Sequence, residues 1–207
     1  MADNRDTLDR SGPTPPAGSG GSGSDAGPTV TLPATGEVVV LATVQDALAT
    51  PETVRVARGM SLFGEHAAGW LAIGAIGALV DRKRRREWLY SAGAVALAHG
   101  ASIGVKRVVR RRRPEHPSVR VLVGTPSRLS FPSSHATSTT AAAVLYGGLV
   151  GRRPARVAGT ATAGLMALSR LVLGVHYPSD VATGSALGAA VALGARRIIS
   201  SHPDPEG

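Results

Sequence analysis

The chain has 207 residues and a formal net charge of +9, with no cysteine and only 3% aromatic residues. The missing thiols exclude disulfides and thiolate metal sites. The charge invites a nucleic-acid reading, but its distribution argues against one. Residues 1–60 hold seven acids against four arginines, and the positive excess falls in discrete clusters further along the chain.

Residues 1–35, centred on SGPTPPAGSGGSGSDAGP, are too rich in Gly, Ser and Pro to bury a core, and a disordered tail is expected there. No basic start followed by an apolar run is present, so no cleavable signal peptide is expected. Residues 36–60 can form an interfacial helix. Residues 61–200 then read as one domain of ordinary size.

That domain contains five apolar stretches at 67–80, 88–105, 136–151, 157–175 and 181–195. Each lies near the lower limit of the ~17 to 25 residues that cross a bilayer, and the first reaches it only with 62–66 added. None has the broad polar face of a surface helix, and small residues recur at the close spacing that lets membrane helices approach one another. The expected fold is therefore all-α, a polytopic membrane bundle of five to six helices. Basic clusters at 82–86, 152–156 and 196–197 anchor one face as cytoplasmic, in line with the positive-inside rule. The cluster at 106–113 falls on the opposite face and breaks the rule, so its charges are expected to bind something.

Topology then brings three stretches to that same outer face: KRVVRRRRP (106–114), FPSSHA (131–136) and SRLVLGVHYPSD (169–180). Lys106 and Arg113 are seven residues apart, a spacing that places both on one side of a helix. With Arg170 they form a cation cluster suited to phosphate oxygens. The chain has only two lysines among its 23 basic residues, so a lysine at 106 is not simple composition. PSSHA carries helix-start signals, and the amides of a helix start favour an anion. His135 sits in that first turn. Asp180 follows His176 by four residues and can hold the tautomer of its imidazole. Two histidines and three cations around an anion site describe phosphoryl transfer without a metal: one histidine attacks phosphorus and the other handles the leaving-group proton.

K-x6-RP (Lys106 to Pro114), PSSH (Pro132 to His135) and SR-x5-H-x3-D (Ser169 to Asp180) resemble, in order and spacing, the three-part signature of the type 2 phosphatidic acid phosphatase superfamily. The resemblance covers roughly residues 60–197. It implies a helical bundle and hydrolysis of a lipid phosphate with no metal or other cofactor. By the same resemblance His176 is the nucleophile, Asp180 orients it and His135 is the general acid. Lys106, Arg113, Ser133 and Arg170 then hold the phosphate, together with the amide of Ser134. Ser134 departs from the usual glycine of PSGH, and the family's usual six membrane helices exceed the five found, so the first is either degenerate or replaced by the segment at 37–60. FGEHAAGW and RLSFPSSHATSTTAAAVL are further similar to the branch of the superfamily that acts on decaprenylphosphoryl phosphoribose. That branch implies removal of a sugar 5-phosphate during cell-wall arabinan synthesis. Phosphatidylglycerol phosphate, phosphatidic acid and undecaprenyl diphosphate are alternative lipid substrates.

Glu65 and His66 can contact a sugar hydroxyl or cap the end of the first helix. Arg128 and His116 can touch the headgroup or face water, and Arg110, Arg111 and Arg112 can contact the headgroup or form a solvated basic face. His99 reads as a satisfied histidine of the bundle. A vanadate-binding haloperoxidase shares the anion cradle, but such enzymes are generally larger and soluble. A basic anion-binding membrane protein leaves His135, His176 and Asp180 without a role. The expected partners are the lipid phosphate and the bilayer, not nucleic acid. The expected place is the cell membrane, with the site on its extracytoplasmic face, and nothing in the sequence sets the oligomeric state.

Overall fold

The structure, a computed structural model, describes residues 35–201. Almost all of the expected tail, and His202, lie outside these residues. Seven α-helices follow in chain order: α1 Gly36–Leu48, α2 Pro51–Gly64, α3 Ala68–Val80, α4 Arg85–Val109, α5 Ser134–Val150, α6 Arg153–Val172 and α7 Pro178–Ser201. Short 3-10 turns at Glu65–Ala67 and Arg82–Arg84 join α2 to α3 and α3 to α4. The described residues contain no β-strand, only an isolated bridge between Arg112 and Leu129.

The helix ends follow local rules. Thr50 caps α2 by accepting from the Thr53 amide, with Pro51 at the first helical position. Ser133 caps α5, and Gly151 ends it in the left-handed conformation. Arg110, at φ 55°, ends α4 in the same way. The expected helix at 36–60 is thus two helices. α2, the 3-10 turn and α3 make one kinked path, and counting it once gives six rods, one more than the five apolar stretches suggest. This path, Pro51–Val80, is the one among the described residues that is long and apolar enough to cross a membrane by length and composition. α5 is short at 17 residues. α4, α6 and α7 dilute their apolar residues with Gly, Ser, Thr and charged groups.

α5 is the central rod, packed against α7, α6 and α4. Gly184 and Gly188 of α7 make this possible. A Cβ at Gly184 would come within 2.5 Å of the Ser133 carbonyl, and one at Gly188 would collide with the Thr137 carbonyl. Trp70, Trp88, Val95, Leu145 and Tyr146 fill the main apolar cluster. Its polar atoms are paired: Tyr146 donates to the Trp70 carbonyl at 2.9 Å, and Trp70 Nε1 donates to Thr139 at 3.0 Å.

The rods have two distinct ends. At one, Arg84 donates to the Leu149 carbonyl at 2.5 Å and Arg196 lies against Gly148, so the basic clusters at 82–86, 152–156 and 196–197 gather there. At the other end, the start of α5 meets the end of α4 through Ser102 and Ser134, and it meets the start of α7 where the Ser133 amide donates to the Asp180 carbonyl at 2.9 Å.

Candidate active site

At this second end a cavity of about 490 Å³ is lined by Lys106, Arg113, His135, Arg170 and His176 among others. Three separate stretches of chain supply them, 106–113, the first turn of α5, and 170–176. Lys106 lies in the last turn of α4. Arg113 does not share that helix, contrary to the spacing argument, because Arg110 terminates it and the chain turns back. The turn is pinned where Arg113 N donates to the Arg128 carbonyl and Ser130 N donates to the Arg111 carbonyl. Both cations still reach one cavity, held there by tertiary contacts rather than helical register.

The three cations are anchored by neutral oxygens rather than by carboxylates. Lys106 Nζ donates to the Leu129 carbonyl at 3.3 Å. Arg113 donates from Nη1 to Val175 O at 2.6 Å and from Nε to Ser127 O at 2.9 Å. Arg170, only 1% exposed, is held by the Ser61 and Ser169 hydroxyls and the Ala57 carbonyl. Burial lowers Arg113 to about 10, which leaves it charged at neutral pH. Among the described residues none of the three is paired with a carboxylate, and buried cations arranged in this way suit an incoming anion.

The two motif histidines face the same space. His176, 2% exposed, has Nε2 within 3.3 Å of Arg113 Nη1, and its Nδ1 lies 3.7 Å from Asp180 Oδ2. That distance exceeds a hydrogen bond, and Nδ1 has no other partner. Burial pushes His176 down to about 4, while Asp180 pulls the other way, so the ring is neutral at pH 7. His135 donates from Nε2 to the Ser61 carbonyl at 3.0 Å, which fixes its proton on that nitrogen. Gly64 makes room for this ring: a Cβ there would sit 2.7 Å from His135 Cδ2.

Ser134 lines the cavity, and its hydroxyl is taken up by Ser102 at 2.7 Å, so the side chain added at the usual glycine position is satisfied against α4. Ser133 and Asp180 are fully buried behind the wall and do not line it. Glu65 and His66 line the cavity from the kinked turn, where His66 and Ala67 both adopt positive φ. Arg128 is exposed, does not line the cavity, and contributes only its carbonyl to Arg113. His99 is not the satisfied bundle histidine expected from the sequence: it lines the cavity, and its buried Nδ1 has no partner. Sequence reasoning passed over Ser61, Ser102 and Arg58, for which no motif signals the contact. It also left open Arg111, which reaches Asp180 from behind.

Comparison with known proteins agrees with this geometry. Residues 64–203 match the model of the PAP2 superfamily. Two relatives bear the name decaprenylphosphoryl-5-phosphoribose phosphatase. The one from Mycobacterium tuberculosis is 54% identical over 157 residues, covering 75% of this chain and 86% of its own length. The one from Mycolicibacterium smegmatis is 57% identical over 151 residues, covering 72% and 81%. A transmembrane PAP2-type phosphatidylglycerolphosphate phosphatase from Bacillus subtilis, 22% identical, superposes with a TM-score of 0.66 over 83% of this chain and 90% of its own. The family match spans most of the chain and contains every cavity residue of the three motifs, so this chain belongs to the PAP2 superfamily.

Proposed function

We propose that the chain is a membrane-embedded lipid-phosphate phosphatase that removes the 5-phosphate of decaprenylphosphoryl phosphoribose through a phosphohistidine. The observation that carries the chemistry is the convergence of His135, His176, Lys106, Arg113 and Arg170 on one cavity. The substrate reading rests on the names of relatives 54–57% identical to the chain.

The proposed steps follow from this arrangement. The phosphate oxygens replace solvent among Lys106, Arg113 and Arg170, which offset the charge that builds on them in the transition state. His176 Nδ1 faces Asp180, so the ring's lone pair is on Nε2; Arg113 Nη1 lies 3.3 Å from it in the empty site, and once Arg113 turns to the phosphate oxygens that lone pair attacks phosphorus. The ester P–O bond breaks as the P–N bond forms, and His135, which takes up a proton on Nδ1 with the incoming phosphate, gives that proton to the departing sugar oxygen and is left neutral, with Nε2 still on the Ser61 carbonyl. Water then loses a proton to His135 and attacks phosphorus, and cleavage of P–N releases inorganic phosphate and the neutral ring. The His176–Asp180 distance shortens to a hydrogen bond when the anion binds, as catalytic contacts commonly tighten on complex formation.

The ribose then lies toward Glu65, His66 and His99, which line the same cavity. The substrate's second phosphate, which bridges sugar to lipid, meets the exposed rim arginines Arg58 and Arg107. Residues 61–200 form the membrane domain. The gathering of the basic clusters at the end remote from the cavity supports an extracytoplasmic site.

Phosphate release by detergent-purified protein tests this reading, with decaprenylphosphoryl phosphoribose, phosphatidylglycerol phosphate and undecaprenyl diphosphate as substrates and EDTA present. Selective release from the first, lost in His176→Ala, is the expected result. Release from another lipid overturns the substrate. No release from any, or equal release by the variant, overturns the chemistry.

A further inference from the structure

Asp180 is more tightly held than a two-residue His–Asp pair requires. Its carboxylate is fully buried, with Oδ2 accepting from the Tyr177 amide at 2.8 Å while it faces His176. Its other oxygen, Oδ1, accepts from Arg111 Nη1 at 3.0 Å. The same nitrogen reaches the Ser179 hydroxyl at 2.6 Å, and Arg111 Nη2 donates to Glu37 Oε2 at 2.5 Å. Glu37 closes the ring by accepting the Ser179 amide on Oε1 at 3.0 Å, at the first turn of α7. The Arg111 guanidinium lies 3.9 Å over the Tyr177 ring, which fixes its plane.

We propose that Arg111 and Glu37 are positioning residues that hold Asp180 in register with His176, making helix α1 a working part of the site. The proposal rests on the phosphatase reading above. Arg111 does not line the cavity, so it acts through Asp180 rather than on the phosphate. A planar guanidinium held by Glu37 and Tyr177 can approach Asp180 from one direction only, leaving Oδ2 as the oxygen turned to the histidine. Glu37 balances the charge of Arg111, so that Arg111 orients Asp180 without neutralising its effect on the imidazole. The brace comes partly from outside the common family core, because residue 37 precedes the matched stretch at 64–203.

The test uses the full chain in detergent, with Arg111→Ala, Arg111→Lys and Glu37→Gln made in the native and the Asp180→Asn backgrounds. Phosphate release from decaprenylphosphoryl phosphoribose is followed. Arg111→Ala is expected to lower kcat ~10- to 100-fold with KM changed less than ~3-fold, and Glu37→Gln to lower kcat ~3- to 10-fold. Arg111→Lys, which keeps charge without the fork, falls between native and alanine. In Asp180→Asn the same changes are expected to cost less than ~2-fold, because their route to His176 is already cut. An unchanged kcat, an effect on KM alone, or an equal loss in both backgrounds overturns the proposal. If Arg111→Ala fails to fold by size exclusion, the lysine and Glu37→Gln variants decide by the same criteria.

A second readout does not need turnover. With ¹⁵N-labelled histidine, the His176 signal, assigned by its loss in His176→Gln, is expected to report a single Nδ1-protonated tautomer in the native protein. A mixture is expected in Arg111→Lys. An identical tautomer in both overturns the brace, whereas failure to hydrolyse any lipid overturns the phosphatase reading, so the two failures are distinguishable.

Discussion

Both ends of the bundle are rich in arginine, and they use it in opposite ways. At the end holding the 82–86, 152–156 and 196–197 clusters, the arginines are mostly exposed. Arg84 turns inward to pair with Asp81 at 2.9 Å and to reach the Leu149 carbonyl. At the cavity end, Arg170 and Lys106 are 1% and 8% exposed and are tied to neutral oxygens. Exposed cations beside solvent or lipid headgroups cost little and set orientation. Buried cations without carboxylates are costly in the empty protein and are repaid when an anion arrives. The same residue type is therefore exposed and unconstrained by burial at one end, and buried and held by neutral oxygens at the other.

The sharpest way to break this comparison is at the proposed nucleophile. His176→Ala is expected to reduce phosphate release by about 10⁴-fold or more while leaving the protein folded, measured by turnover beside size exclusion. Retained turnover would separate the cavity from the chemistry. Next in size, Arg170→Ala or Arg113→Ala is expected to cost about 10²- to 10³-fold in kcat/KM, because each removes a preorganised cation from the developing charge.

A pH profile sharpens the contrast further. Burial holds His176 at about 4, and the neutral form is the proposed nucleophile, so activity is expected to be lost as pH falls through that value. The acid limb of kcat/KM, corrected for the substrate's own ionisation, is expected below pH ~5 rather than near the ordinary histidine value of ~6.5. Asp180 raises the His176 value, so Asp180→Asn moves the limb lower still. A limb near the ordinary value contradicts the buried site. The smallest effect belongs to the other end: Arg84→Ala is expected to leave kcat/KM within ~2-fold, since it touches only Asp81 and Leu149 there. A large loss of activity would join two ends that the structure separates.

How much of this was legible in the sequence depends on whether a feature is local. The apolar stretches foretell α3 to α7, and Ser133 and Pro178 start α5 and α7 where their motifs suggest. Helix periodicity and caps act within a few residues, so they leave a local trace. The motif spacing identifies the histidines and cations, because each reacting group needs a particular residue type. The 36–60 region was harder, since two short helices divided by Thr50 and Pro51 lack a strong apolar period.

What only the tertiary structure decided were long-range choices. Arg113 reaches Lys106's cavity through a turn back to Arg128, not along a helix. His99 faces the cavity instead of being satisfied within the bundle. Arg111, one of four consecutive arginines, is distinguished from its neighbours only by Glu37 and Asp180, 74 and 69 residues away. Sequence alone determined the all-helical class of fold and which motif residue types meet at the cavity, because these follow from residue type and short-range period. Which identical side chains turn inward was set by packing, because a charge finds its partner in space and adjacent residues carry no record of that choice.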